Sequence, residues 1–155
     1  MINIDIENEE KFSKGGNKLI TKDEYKKMQY GTKVHEVLEM IDFNNPNYSN
    51  LDLFVKEKVK HFIESDLISK HLQDRFYKEY EFTYLEDNNL MHGIIDLMIE
   101  NSDEIIIIDY KLKNIDDDAY NKQLLGYKKY IETITKKPVK TYLYSIMAES
   151  FTEIY

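Results

Sequence analysis

From Arg75 onward the hydrophobic period of this chain is two, and it stays two through three segments separated only by short polar turns. Phe76, Lys78, Tyr80, Phe82 and Tyr84 alternate with Tyr77, Glu79, Glu81, Thr83 and Leu85. Alternation rich in aromatics is a strand pattern, because successive side chains leave opposite faces of a pleated backbone. Glu86-Asp87-Asn88-Asn89 supplies one turn and Asn101-Ser102-Asp103 the next. Strands over Arg75–Leu85, Leu90–Ile99 and Glu104–Leu112 therefore predict an antiparallel meander, and an all-helical fold is excluded.

The meander is preceded by helical signals. Thr21-Lys22-Asp23-Glu24 matches a capping box, in which hydroxyl and carboxylate satisfy first-turn amides. Tyr25 and Met28 begin an apolar stripe that continues past Gly31 as Val34, Val37, Leu38 and Ile41, until Asn44-Asn45-Pro46-Asn47 stops it. His35 is expected one position off that stripe, on the side of Leu38 and Glu39. A second helix is predicted over Leu51–Ile63, with Val55, Val59 and Phe62 inward, and a short third one over Leu67–Leu72. After the meander, Asp116-Asp117-Asp118 places negative charge where unpaired helix amides favour it. Tyr120, Leu124, Tyr127, Ile131 and Ile134 then recur at helical steps until Lys136-Lys137-Pro138. Val139–Ile146 reads as a fourth strand and Phe151–Tyr155 as a fifth. This order predicts an α/β chain with a mixed sheet and helices on its faces.

At 155 residues a single domain over 1–155 is expected, with residues 1–18 an irregular lead-in turning at Gly15-Gly16. Apolar residues make up 42%, which is globular rather than disordered composition. Cysteine is absent, so disulfides, thiolate zinc sites, iron–sulfur clusters and cysteine nucleophiles are excluded. The acidic start MINIDIENEE lacks the apolar core of a signal peptide and no apolar run reaches membrane-span length, so a cytoplasmic location is expected. The net charge of −8 speaks against a generally basic nucleic-acid surface, although a cation in an acidic site offsets part of it.

The chemistry concentrates in Gly93-Ile94-Ile95-Asp96 and Ile105-Ile106-Ile107-Ile108-Asp109-Tyr110-Lys111. Asp109 and Lys111 project to one strand face, Ile108 and Tyr110 to the other. With Ser102 and Asp103 as the central turn residues, 101 pairs with 104, 99 with 106, and so 96 with 109. Two carboxylates then stand opposite one another in otherwise apolar strands, and like charges so placed repel. A divalent cation neutralises them. Oxygen ligands with one imidazole suit Mg2+ or Mn2+ better than a closed zinc site. Lys111 would hold the attacking water or offset charge on a phosphate. Taken singly, an Asp-x-Lys strand end is a solvated pair and His35 a satisfied histidine. His61, His71 and His92 carry no expected role. Gln123 and Tyr127 share a helix face, Tyr127 with core packing as its ordinary explanation, and Glu79 reads as solvent-facing with a supporting role as the alternative.

Gly31-Thr32-x-x-His35, Glu79-x-x-Phe82, Gly93-x-x-Asp96, Asp109-Tyr110-Lys111 and Tyr120-x-x-Gln123-Leu124-x-x-Tyr127 resemble, in order and spacing, the RecB-like branch of the PD-(D/E)XK nucleases. Within that branch the chain is most similar to the carboxy-terminal nuclease domain of the AddA helicase-nucleases. Lys11-Phe12, Leu19-Ile20-Thr21 and Tyr142-Leu143-Tyr144-Ser145 extend the likeness over nearly the whole chain. The resemblance implies a restriction-endonuclease-like core and cleavage of DNA phosphodiester bonds by water, as an exonuclease on single-stranded ends in double-strand-break repair and recombination. It implies metal ligation by His35, Asp96, Asp109 and the Tyr110 carbonyl, catalysis by Lys111, and support or DNA contact by Gln123 and Tyr127. It also implies a helicase portion and an AddB-like partner subunit, so the chain would be an excised domain or a stand-alone relative. Glu81 departs from the family's proline before Phe82, and the lack of cysteine disfavours the iron–sulfur relatives. The competing expectation is a catalytically silent scaffold that binds DNA or a partner subunit.

Overall fold

A computed structural model describes residues 21–112 and 118–155 of the chain. The expected lead-in with its Gly15-Gly16 turn, and Asp116-Asp117 ahead of the last helix, lie outside the described residues. The elements run α1 (Lys22–Met40), α2 (Leu53–Glu64), α3 (Asp66–Ser69), β1 (Arg75–Glu86), β2 (Asn89–Glu100), β3 (Ile105–Lys111), α4 (Asp118–Thr135), β4 (Val139–Ser145) and β5 (Ser150–Ile154). The five strands form one sheet in sequence order, with β3–β4 parallel and every other neighbour antiparallel. A parallel pair needs a long crossover, and α4 supplies it.

Local chemistry explains the boundaries. Thr21 Oγ1 accepts from the Glu24 amide at 3.1 Å, starting α1 where the capping box lies. Asp87 and Asn88 take φ of 50° and 67°, the left-handed pair that matches a two-residue hairpin turn to strand twist. Asn101 Oδ1 accepts from the amides of Asp103 and Glu104, and the Asn101 amide donates to the Glu104 carbonyl, so Ser102 and Asp103 are the central turn residues. The β2–β3 ladder accordingly pairs Ile99 with Ile106 and ends at Leu97 with Ile108.

Two apolar layers sandwich the sheet. One holds Val34 and Leu38 of α1, Val55, Val59 and Phe62 of α2, and Leu97, Ile99, Ile106, Ile108 and Tyr110 of the sheet. The other holds Leu124, Tyr127 and Ile131 of α4 with Phe82, Ile95, Met98, Ile105 and Ile107. All four isoleucines from Ile105 to Ile108 are buried because β3 is covered on both sides, as a continuous apolar run signals. Phe62 packs its ring against those of Phe43, Tyr110, Tyr144 and Phe151, and so carries the α2 layer up to the strand that bears Asp109.

Three expectations about faces need correction. Tyr25 is 55% exposed and contributes nothing to the α1 stripe, and at the outer ends of the α4 stripe Tyr120 and Ile134 are exposed, because helix ends overhang the sheet. His35 sits inside the buried face of α1 with Gly31, Val34 and Leu38, not beside it. The simple alternation along β1 also fails. Phe76 packs in the α1–α2 layer, yet Tyr80, Phe82 and Tyr84 pack against α4.

Candidate active site

The failure of alternation builds the site. Lys78 lies over the Phe43 ring, on the α1–α2 side, and the next residue, Glu79, reaches the same side to approach His35. Glu79 achieves this with a left-handed φ of 51°, which is unusual for a non-glycine residue inside a strand. Across the ladder, Asp96 and Leu97 likewise both serve the α1–α2 side, while Ile95 packs against α4. The register keeps the same count on either side, Lys78 opposite Leu97 and Tyr80 opposite Ile95, and the ladder skips only the level of Glu79 and Asp96. Both strands therefore turn over at one level and deliver two carboxylates toward one imidazole. Glu79 is thus not solvent-facing.

Asp96 enters the gap where β2 leaves β3. Its Oδ2 accepts from the Tyr110 amide at 2.8 Å, so the carboxylate takes over the role of the missing ladder carbonyl. Its side chain is 3% exposed and also hydrogen-bonds with that of Asp109. The two carboxyls lie near one another, but the β2–β3 ladder ends at Leu97 with Ile108, so the expected pairing of 96 with 109 on one face is not formed and Asp96 takes the Tyr110 amide instead. His35 Nε2 stands 3.4 Å from Asp96 Oδ1 and 3.8 Å from Glu79 Oε1, while Nδ1 faces Glu39 Oε1 at 3.5 Å. The Tyr110 ring meets the imidazole edge-on, with centroids 5.2 Å apart. Glu39 is the residue that sequence reasoning left without a role. Its only local signal is the four-residue step from His35, which places both on one helix face.

Among the described residues, the compact group of three potential metal donors is His35, Glu39 and Glu79, whose ligand atoms lie within 4.8 Å of one another. His35 Nε2 and Glu79 Oε1 are buried and have no hydrogen-bond partner. Buried polar atoms are normally satisfied, so these two orphans fit a cation that both could bind. Donors of oxygen with one imidazole and no thiol suit a hard divalent ion.

The protonation states follow from crowding. Burial pushes the Asp96 carboxyl up, but the adjacent His35 imidazole, the Asp109 carboxyl and the Tyr110 amide outweigh it and hold Asp96 below the usual range. Burial, the Asp96 charge and the Asp96 hydrogen bond push Asp109 well above its usual value. Glu79 is pushed up to about 7 by burial, by Asp96 and by its hydrogen bond to Glu39. Burial works against His35 protonation, yet the surrounding carboxylates raise its pKa. Without a cation, then, the folded chain keeps protons on Asp109 and Glu79 that the unfolded chain has released above 3.8 and 4.5. Proton uptake by the native state makes stability fall as pH rises. The melting temperature in EDTA should therefore decrease from pH 5 to 7.5, and saturating Mn2+ should remove most of that slope. Asp96 acts in the opposite sense, but only below 3.8. A melting temperature that climbs with pH in EDTA would contradict this electrostatic picture.

Lys111 ends β3 opposite Ser145, half-buried, and alternation puts it on the side of Asp109. Among the described residues no carboxylate lies within 4.0 Å of its ammonium. On α4, Gln123 Nε2 donates to the Tyr127 hydroxyl at 2.7 Å, and that hydroxyl also meets the Ile94 backbone two residues before Asp96. Gln123 and Tyr127 thereby tie the helix to the strand of the site. His61, His71 and His92 pair instead with Glu149, Asp74 and Glu81.

Gly93 is required by close approach. A Cβ there would fall 2.6 Å from Phe82 Cζ and 2.8 Å from Tyr127 Cε1. Phe82 is itself wedged against the Tyr130 ring, stacked at 5.0 Å and 5°. Gly93→Ala should cost about 1–3 kcal/mol, read from urea unfolding, because overpacked rings have nowhere to move. An unchanged midpoint would mean that the aromatic cluster is looser than its geometry implies.

The profile of the PD-(D/E)XK nuclease superfamily matches residues 11–153. The chain is 30% identical to an ATP-dependent helicase/nuclease subunit of Clostridium beijerinckii, over 80% of this chain and 14% of that protein. It is 26% identical to the protein of the same name from Staphylococcus epidermidis, over 75% of this chain and 13% of that protein. Over 53% of this chain it is 33% identical to the protein of that name from Clostridium kluyveri. The chain thus spans 13–14% of the length of the first two relatives. No helix among the described residues is long and apolar enough to cross a membrane.

Proposed function

The chain belongs to the PD-(D/E)XK nuclease superfamily, and from that premise we propose that its acidic cleft hydrolyses DNA phosphodiester bonds with a divalent cation, Mg2+ or Mn2+. The observation that carries the reading is the meeting of Asp96 and Asp109 beside a buried, unpartnered His35 Nε2. Carboxylates held against their mutual repulsion in an apolar sheet are a cost to folding unless a cation uses them.

In this reading His35, Asp96, Asp109 and the Tyr110 carbonyl hold the ion. A bound divalent cation supplies Lewis acidity, polarising a phosphoryl oxygen and offsetting charge that builds on the phosphate. Lys111 orients the attacking water and stabilises the non-bridging oxygens as the phosphorus–oxygen bond breaks. Gln123 and Tyr127 hold the β2 strand in place and offer polar atoms toward the DNA. In this proposal the substrate is single-stranded DNA with a free end and the setting double-strand-break repair and recombination; the relatives' names, helicase/nuclease subunits, support only the pairing of a nuclease with a helicase. The domain over 1–155 works beside a helicase portion and an AddB-like partner subunit, in the cytoplasm. That arrangement accounts for a net charge of −8 on a nuclease, because a motor rather than surface lysines would deliver the strand.

The test is incubation with end-labelled single-stranded and duplex DNA in Mg2+, Mn2+ or EDTA. Shortening of the single strand only when a divalent ion is present supports the reading. DNA retained but never shortened, with Mn2+ bound, would instead support the silent scaffold.

A further inference from the structure

We infer that Lys78 is a positioning residue of the cleft: by clamping the carboxy-terminal end of α1 to β1, it sets where His35 stands against Asp96. The inference rests on the nuclease reading only in taking the cleft as the place where a cation binds.

The need arises in α1 itself. The helix opens with Asp23 and Glu24 in its first turn, where anions suit the helix dipole, but it carries no basic residue in its last turn. Glu39 stands there instead. At Ile41, whose amide donates to the Val37 carbonyl, the backbone turns extended, so the Ile41 carbonyl lies beyond the last bond of the helix. Lys78 supplies from the sheet both the donor and the positive charge that α1 lacks. Its Nζ donates to the Ile41 carbonyl and lies 4.0 Å from the centre of the Phe43 ring. Among the described residues no carboxylate lies within 4.0 Å of that ammonium, so it serves the helix end rather than an ion pair.

The strand is shaped for this. Neighbouring residues of an extended strand face opposite ways, yet Lys78 and Glu79 both reach α1, Lys78 at its end and Glu79 at His35, because Glu79 takes a φ of 51°. Ile41 follows His35 by six residues, about 9 Å along the helix axis. A helix is stiff over that length, so a clamp at Ile41 fixes the reach of the imidazole. A cavity of about 290 Å³ opens beside the clamp, walled by Ile41, Phe43, Asn44, Asp74, Phe76 and Lys78. The helix end therefore has room to shift once the ammonium is gone, and His35 Nε2 would leave its 3.4 Å approach to Asp96 Oδ1.

The experiment compares four whole chains. Beside the parent stand Lys78→Met, which keeps the alkyl stem and removes the donor and its charge, and Lys78→Arg, which restores both. The fourth, Lys137→Met, is a destabilised control that loses contacts with Glu100 and Asn101 at the β2–β3 turn. The first readout is the His35 imidazole signal by NMR in metal-free protein, assigned among the four histidines with His35→Gln. The Tyr110 ring stands edge-on with its centroid 5.2 Å from that of the imidazole, so a small displacement of His35 moves the signal. The second is the Mn2+ dissociation constant by calorimetry, with kcat and KM on single-stranded DNA beside it. Lys78→Met is expected to move the His35 signal, weaken Mn2+ about tenfold and lower kcat with KM unchanged. Lys78→Arg should recover all three, and Lys137→Met should match the parent. If Lys78→Met melts below the working temperature, Lys78→Gln, a shorter and uncharged donor, takes its place with the same expectation. A His35 signal and Mn2+ affinity unmoved in Lys78→Met, or moved equally in Lys137→Met, overturn the clamp and leave the nuclease reading standing. A parent that neither binds Mn2+ nor cleaves overturns the nuclease reading, and the His35 signal then decides the clamp alone.

Discussion

Asp109→Asn is expected to lower DNA cleavage by about 10³-fold or more while leaving the apo protein as stable as the parent at pH 7, or more so. The two halves have one cause. Asp109 is half-buried between apolar residues, beside Asp96, and is pushed well above its usual pKa by burial and by that neighbour. An asparagine amide can donate to Asp96 as the protonated acid does, without the repulsion that returns when the proton leaves. The side chain that the cation needs is thus the one that folding would dispense with. Thermal melts in EDTA and cleavage rates in Mn2+ read the two effects separately. Loss of cleavage accompanied by a lower melting temperature would mean that Asp109 is structural, and cleavage within tenfold of the parent would remove it from the reaction.

Lys111→Met should reduce the cleavage rate by about 10²–10³-fold, with Mn2+ affinity and melting temperature close to those of the parent. Methionine keeps most of the alkyl stem that half-buries the residue at the end of β3, and removes only the charge. Among the described residues the ammonium makes no ion pair with the acidic cluster, so its loss leaves no carboxylate newly stranded. The effect should fall on the catalytic rate constant, because the charge is needed when negative charge builds on phosphate rather than when DNA binds. A variant that fails to bind Mn2+ would make Lys111 part of the folding of the site. A variant with raised KM and unchanged rate would make it a DNA-binding residue.

Much of this geometry was legible before any coordinates. The turn at Ser102-Asp103 sets Ile99 opposite Ile106 by counting alone, although the ladder stops at Leu97 with Ile108, one pair short of Asp96 and Asp109. The four-residue step on α4 brings Gln123 to Tyr127, and the hydrogen bond between them follows. Strand and helix periods are local properties of backbone geometry, which is why residue order reveals them. Alternation, however, assumes a strand that never turns over. It sent Glu79 to solvent and put Tyr80 on the face of Phe76, and both placements were wrong for the same reason.

Residue order by itself determined the mixed sheet and the pairing of β2 with β3. Tertiary structure alone decided that Glu79 folds inward at φ 51°, that His35 is buried, and that Glu39 shares the imidazole. Those three placements depend on where α1 rests against a level at which two strands twist over together. Contacts across 40 or more positions, such as that of His35 with Glu79, leave no period for a sequence to display.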